Sequence, residues 1–210
     1  MKSFFAVALA AAGSAAAAPA ACAASAPSPV PVAAPLHFGG LSLRSASPIH
    51  FANINANGQD FWIGKNASTY CPPESSACAT VNNSTTIFSY LNGTLSLDTL
   101  VPGGQQVYVT AGNTTAGQLA GLLKFTQAHS TSTFGPALYD GFSVTYEGSI
   151  AKLQFEGKDW FACPVDKFNT GYGIVAISRT TGSNAGAGCL SFTFDVVQVN
   201  SSYPAAWQYQ

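Results

Sequence analysis

Three times in this chain a glycine is followed by a polar pair and then by apolar and aromatic residues: GQDFWIG at 58–64, GQQVYVT at 104–110 and GKDWFAC at 157–163. An apolar, strand-like stretch leads into each, as in IHFANINANGQDFWIG, LSLDTLVPGGQQVYV and AKLQFEGKDWFAC. Glycine tolerates the positive φ of a tight turn, so each copy reads as a β-hairpin. The copies begin at Gly58, Gly104 and Gly157, spaced by 46 and 53 residues. A hairpin used three times at such a period predicts an all-β, β-trefoil-like barrel, whose closure leaves few exposed strand edges. A Greek-key β-sandwich is the alternative architecture for the same strands.

Period-two alternation supports the strand reading along the whole chain. GFSVTYEG (141–148) sets Phe142, Val144 and Tyr146 against Ser143, Thr145 and Glu147, and SFTFDVV (191–197) does the same with Phe192, Phe194 and Val196. That is the pattern of a half-buried strand. Comparable runs at 41–46, 49–54, 60–64, 85–91, 94–100, 105–110, 122–128, 152–156, 159–163 and 172–178 bring the expected total to about twelve short strands. Helical periodicity is confined to TAGQLAGLL (115–123), where one turn is expected.

The first residues set the compartment. MKSFFAVALAAAGSAAAAPAACA has one lysine, a short apolar run and small residues at an A-x-A-like cut, the form of a secretory signal peptide over 1–20. Residues 21–37 are rich in Ala, Pro and Ser and predict an extended, disordered arm that carries Cys22. Residues 38–210 then form a single all-β domain large enough for a sizeable core. No later stretch is long and apolar enough to span a bilayer. The expected destination is the extracellular space or the cell wall.

In that oxidising route Cys71, Cys78, Cys163 and Cys189 form an even set with three connectivities. The local pairs Cys71–Cys78 and Cys163–Cys189 are preferred, at about 2.5 and about 3.5 kcal/mol of loop-closure stabilisation. The competing zinc reading is poor, because C-x6-C and C-x25-C are not ligand spacings and no histidine lies nearby. Cys163, set among Trp, Phe, Ala and Pro, lacks the basic surroundings that make a thiol reactive. Six Asn-x-Ser/Thr sequons, at Asn66, Asn82, Asn83, Asn92, Asn113 and Asn200, predict a glycoprotein; Asn82 and Asn83 overlap, so one of the two is expected to be used.

Eight Lys/Arg against nine Asp/Glu, without a basic patch, argue against nucleic acid and anionic membrane as partners. No catalytic constellation is recognisable. His37, His50 and His129 show no ligand spacing, and no G-x-S-x-G marks an activated serine. Glu147 and Glu156, the carboxylates a wall-polymer hydrolase would need, occupy the polar phase of their strands. The expectation is therefore a non-enzymatic protein with no cofactor and no metal. Trp62, Tyr108 and Trp160 occupy corresponding parts of the three echoes and are the candidate platform for stacking on cell-wall polysaccharide, with burial in the barrel as the plainer role.

Several words occur in family order over about 38–210: SPIHFANINANGQDFWIG (47–64), TYCPP (69–73), VPGGQQVYV (101–109), LKFTQAHS (123–130), WFACP (160–164) and AAWQYQ (205–210). Together they resemble the fungal IgE-binding-protein-like family, related to cell-wall proteins of the phialide-development type. The resemblance implies a secreted or wall-associated fungal protein without established catalytic residues, and it too favours Cys71 with Cys78 and Cys163 with Cys189. The chain departs from the family pattern in GNTTAGQLAG (112–121), in Cys22 and in its number of sequons.

Overall fold

The computed structural model describes residues 34–165, 170–180, 186, 188–200, 203 and 205–210. The leader, most of the arm and Cys22 lie outside the described residues. Fifteen strands are present among the described residues. The first eight are β1 (Leu36–Leu43), β2 (Ala52–Asn57), β3 (Asp60–Ile63), β4 (Thr69–Tyr70), β5 (Ile87–Leu91), β6 (Thr94–Leu97), β7 (Gln105–Thr110) and β8 (Leu123–Phe125). The others are β9 (Ala137–Leu138), β10 (Phe142–Glu147), β11 (Ile150–Phe155), β12 (Trp160–Pro164), β13 (Tyr172–Ala176), β14 (Leu190–Gln198) and β15 (Gln208–Tyr209).

Nine strands close into an antiparallel barrel in the order β1–β5–β6–β7–β8–β3–β13–β12–β14 and back to β1. Strand β2 hairpins with β3, β10 and β11 form a hairpin attached to β14, and β4 pairs with β15 in a separate small sheet. Two corrections to the sequence reading follow. The arm ends earlier than residue 37, because Leu36 and His37 pair with Tyr90 and Ser89 as the first residues of β1. Residues 115–123 hold no helical turn: a turn follows Asn113 and the segment ends in β8.

The three echoes share a turn but not a pairing. Around Gly58 and Gly104 the flanking strands pair as hairpins, β2 with β3 and β6 with β7. At Gly157 the turn is closed by mutual 3.0 Å bonds between Phe155 and Lys158, yet β11 and β12 both pair with β14. Leu153 stands opposite Phe194 and Trp160 opposite Phe192. Strand β14 takes the hydrogen bonds that a third hairpin would have needed, so the pairing does not repeat threefold.

Alternation fills the barrel. Phe38, Phe61, Phe88, Phe125, Phe155, Trp160 and Phe194 are buried in one core with Ile54, Leu97, Val107 and Val109. Phe88 is the hub, with ring centroids 5.2 Å from Phe61, 5.4 Å from Phe38 and 5.6 Å from Phe194. Phe38 stacks on Phe88 while Phe61 is tilted and Phe194 edge-on to it, arrangements that suit the ring quadrupoles as well as burying area. Gly40 is required by this packing, since a Cβ there would meet the Phe194 ring at 2.6 Å.

Candidate functional site

Because side chains alternate along each strand, the residues between the core positions face outward. On β1, β5, β6 and β7 they line up across strands: His37 opposes Ser89, Ser89 opposes Ser96, and Ser96 opposes Gln106. The result is a polar ladder running across the barrel wall. Its members hold one another in place. The Ser96 hydroxyl donates to the Ser89 carbonyl (3.3 Å), and the Gln106 carboxamide donates to the Leu95 carbonyl (2.6 Å). At the β1 end, His37 Nδ1 lies 3.1 Å from Asp98 Oδ2, with both side chains about three-quarters buried.

Beyond β7 the chain from residue 127 to 139 folds back over the outside of the wall. Its Phe134 N–H donates to the Tyr108 hydroxyl (3.0 Å), its Tyr139 ring packs 5.9 Å from that of Tyr108, and the Phe134 ring lies 5.3 Å from the Lys124 ammonium. Lys124 is also paired with Asp60. This covering explains why Tyr108 and Lys124, outward-facing in phase, are nonetheless buried. Burial pushes the Tyr108 phenol up in pKa, partly offset by the Phe134 N–H.

Between the ladder and this loop lies a cleft of about 1000 Å³. Its lining includes Ser89, Ser96, Asp98, Thr99, Gln106, His129, Ser130, Thr131 and Tyr139, with the Gly103–Gly104 turn at one end. Most of these offer hydroxyls or carboxamides, Asp98 and His129 are ionisable, and Tyr139 supplies an aromatic ring. The Thr99 hydroxyl is buried without a hydrogen-bond partner. Ser89 opposes His37 in register, but no hydrogen bond joins its hydroxyl to the imidazole.

The aromatics singled out from sequence do not form a platform. Trp160 is fully buried, and its indole N–H donates to the Leu153 carbonyl (2.7 Å). Tyr108 is roofed by the loop just described. Trp62 is half-buried, donates to the Asn57 carbonyl (2.8 Å) and carries the Lys65 ammonium 3.2 Å over its ring. The physical reason is phase. Counted from the echo glycines, Trp160 matches Phe61 and Val107, which point inward, whereas Trp62 and Tyr108 match Phe161. Trp160 was one residue out of correspondence.

The remaining expected sites fall as follows. Cys71–Cys78 and Cys163–Cys189 are disulfides with Cα separations of 5.8 and 4.1 Å. Asn66, Asn83, Asn92, Asn113 and Asn200 are exposed, while Asn82 is buried. Glu147 pairs with Lys152 and Glu156 with Arg179, so each carboxylate faces its own cation. His50 accepts the Arg44 N–H (3.1 Å). Among the described residues no group of three or more His, Cys, Asp or Glu could hold a metal ion.

The sequence profile of the PhiA-like secreted proteins matches residues 38–210, all of the barrel domain but the first two residues of β1. The chain belongs to the PhiA-like secreted protein family. An Arthroderma benhamiae protein described as an uncharacterized secreted protein is 30% identical to this PhiA-like chain over 162 residues, covering 74% of this chain and 76% of its own length. No solved structure matches the chain. No helix among the described residues is long and apolar enough to cross a membrane.

Proposed function

We propose that this PhiA-like chain is a non-catalytic extracellular glycoprotein of the fungal wall that holds neutral polysaccharide in the cleft beside the polar ladder. The carrying observation is the chemistry of that lining. Hydroxyls and carboxamides match a polyhydroxylated ligand, and the carboxylate of Asp98 is already engaged by His37. The unpartnered Thr99 hydroxyl would gain a bond from a bound sugar, and the Tyr139 ring is placed to stack on a pyranose face. Five of the six sequon asparagines are exposed, which suits a glycoprotein. An exposed, glycosylated β surface also suits the IgE-binding side of the family resemblance, which an immunoblot with sensitised serum would test.

The test is co-sedimentation of the secreted protein with insoluble chitin, β-glucan and mannan. Retention on at least one polymer is expected, lost in Tyr139→Ala and Thr99→Val and kept in Trp62→Ala. A protein that sediments with none of the three, or whose retention survives both cleft substitutions, overturns the reading.

A further inference from the structure

On β1 the outward positions after His37 are Gly39 and Leu41, so the wall beside the cleft continues in line along the strand. At about 3.3 Å per residue, Gly39 lies about 7 Å from His37. Here β1 changes partner: Gly39 opposes Ile87 of β5, and Gly40 opposes Ile54 of β2. The divergence of β5 and β2 leaves a groove of about 170 Å³ walled by Leu41, Val197 and Tyr203. Ile87 also lines it, and the Ile87 carbonyl accepts the N–H of Asp98 (2.8 Å), which lines the cleft. Cleft and groove are thus neighbours across the His37–Asp98 pair.

Two independent features show a built site. The first is Gly39. Its φ is ordinary, and, unlike at Gly40, a Cβ there would clash with nothing and meet only the Thr86 carbonyl at 3.9 Å. Barrel packing does not demand glycine at this position; its effect is to leave the groove open. The second is Asn55, which contributes to the lining and is 6% exposed. Its Nδ2 donates to the Lys65 carbonyl (2.9 Å), leaving a buried Oδ1 with no partner.

We propose that this groove is a second sugar subsite, in line with the cleft, that takes an acetamido group, so that the ligand is a linear chain of N-acetylated hexoses. The free atom of Asn55 only accepts, and Leu41, Ile54, Ile87, Val197 and Val199 make the walls mainly apolar beside Asn53, Thr85 and Thr86. An acetamido group brings both an N–H for that atom and a methyl for the apolar walls, whereas a sugar hydroxyl brings the donor without the methyl. Val197 and Tyr203, 42% and 40% exposed, offer the methyl and the ring face an apolar seat. This inference rests on the polysaccharide reading of the cleft.

Calorimetric titration of the secreted protein with oligomers of β-linked N-acetylglucosamine and of β-linked glucose, each in a short and a long form, tests it. Long acetylated oligomers should bind more tightly than glucose oligomers of the same length. Gly39→Val and Asn55→Leu should weaken them by about tenfold or more and leave glucose oligomers unaffected. Unfolding midpoints of both variants check that the barrel is intact, and Gly39→Val has no packing reason to unfold. Unchanged affinity of folded Gly39→Val for the acetylated chain overturns the subsite. So does equal affinity of the parent for both chemistries. In either case glucose binding that is lost in Tyr139→Ala leaves the cleft reading standing. Binding of neither oligomer refutes the subsite, and the mannan arm of the sedimentation test then decides the cleft reading.

Discussion

Tyr209 ties the last strand to the barrel, and removing one oxygen atom measures the tie. The side chain is 1% exposed. Burial pushes its phenol far up in pKa, so the hydroxyl stays protonated and can both donate and accept. It donates to the Thr85 carbonyl and accepts the Ile87 N–H, each at 3.0 Å. In Tyr209→Phe the Thr85 carbonyl keeps a second donor, the Asn82 carboxamide at 2.7 Å. Ile87, 2% exposed, has no such recourse, and its N–H is left buried and unpaired. An orphaned buried donor costs about 1–3 kcal/mol and a lost net hydrogen bond about 1. The sum is about 2–4 kcal/mol, or a fall in Tm of about 4–16 °C for a domain of this size. Urea unfolding of the disulfide-intact protein, with an unchanged m-value, is the assay. Tyr203→Phe serves as control: its hydroxyl touches Thr85 Oγ1 at 3.3 Å on the exposed surface and should cost under about 0.5 kcal/mol. A Tyr209→Phe loss no larger than the control would refute the reasoning.

Three further outcomes are expected. Of the overlapping sequons Asn83 should carry glycan, because the Asn82 carboxamide is spent on Thr85 and on the Ser84 and Thr85 N–H groups; Asn83→Gln should shed one glycan mass in mass spectrometry and Asn82→Gln none. Replacing Cys163 and Cys189 by serine should cost more stability than replacing Cys71 and Cys78, by about 1 kcal/mol, since their sequence separation is 26 against 7; denaturant midpoints of the two double variants decide it. Burial raises the Asp195 pKa above its ordinary value, so protonation is favoured in the folded state. The carboxylate's contribution is then most favourable below the usual carboxylate range and is lost as pH rises through the folded pKa. Asp195→Asn should therefore stabilise near neutrality, with the gain vanishing in acid; a gain that persists in acid would contradict this.

What could be read in advance follows from how far each signal travels along the chain. Strands of four or more residues announce themselves by alternation, as in FSVTYE and LSFTFDVVQ, because core and surface are two residues apart. The two-residue strands β4, β9 and β15 have too few residues to alternate and exist because their partners hold them. Counted from each echo glycine, the same period aligns Trp160 with Phe61 and Val107 inside the barrel, so its matching with Trp62 and Tyr108 is a register error of one residue. The burial of Tyr108 was not legible in this way. Its phase points outward, and only the fold-back of residues 127–139 covers it. The cleft itself is the extreme case. His37 and Asp98 are 61 positions apart, and what joins them is the register of β1 on β5 and of β5 on β6. No local motif records such a row, since each strand contributes a single unremarkable polar residue. Its chemistry exists only once the wall has closed, so a barrel can hide a polar cleft in a sequence that advertises its core.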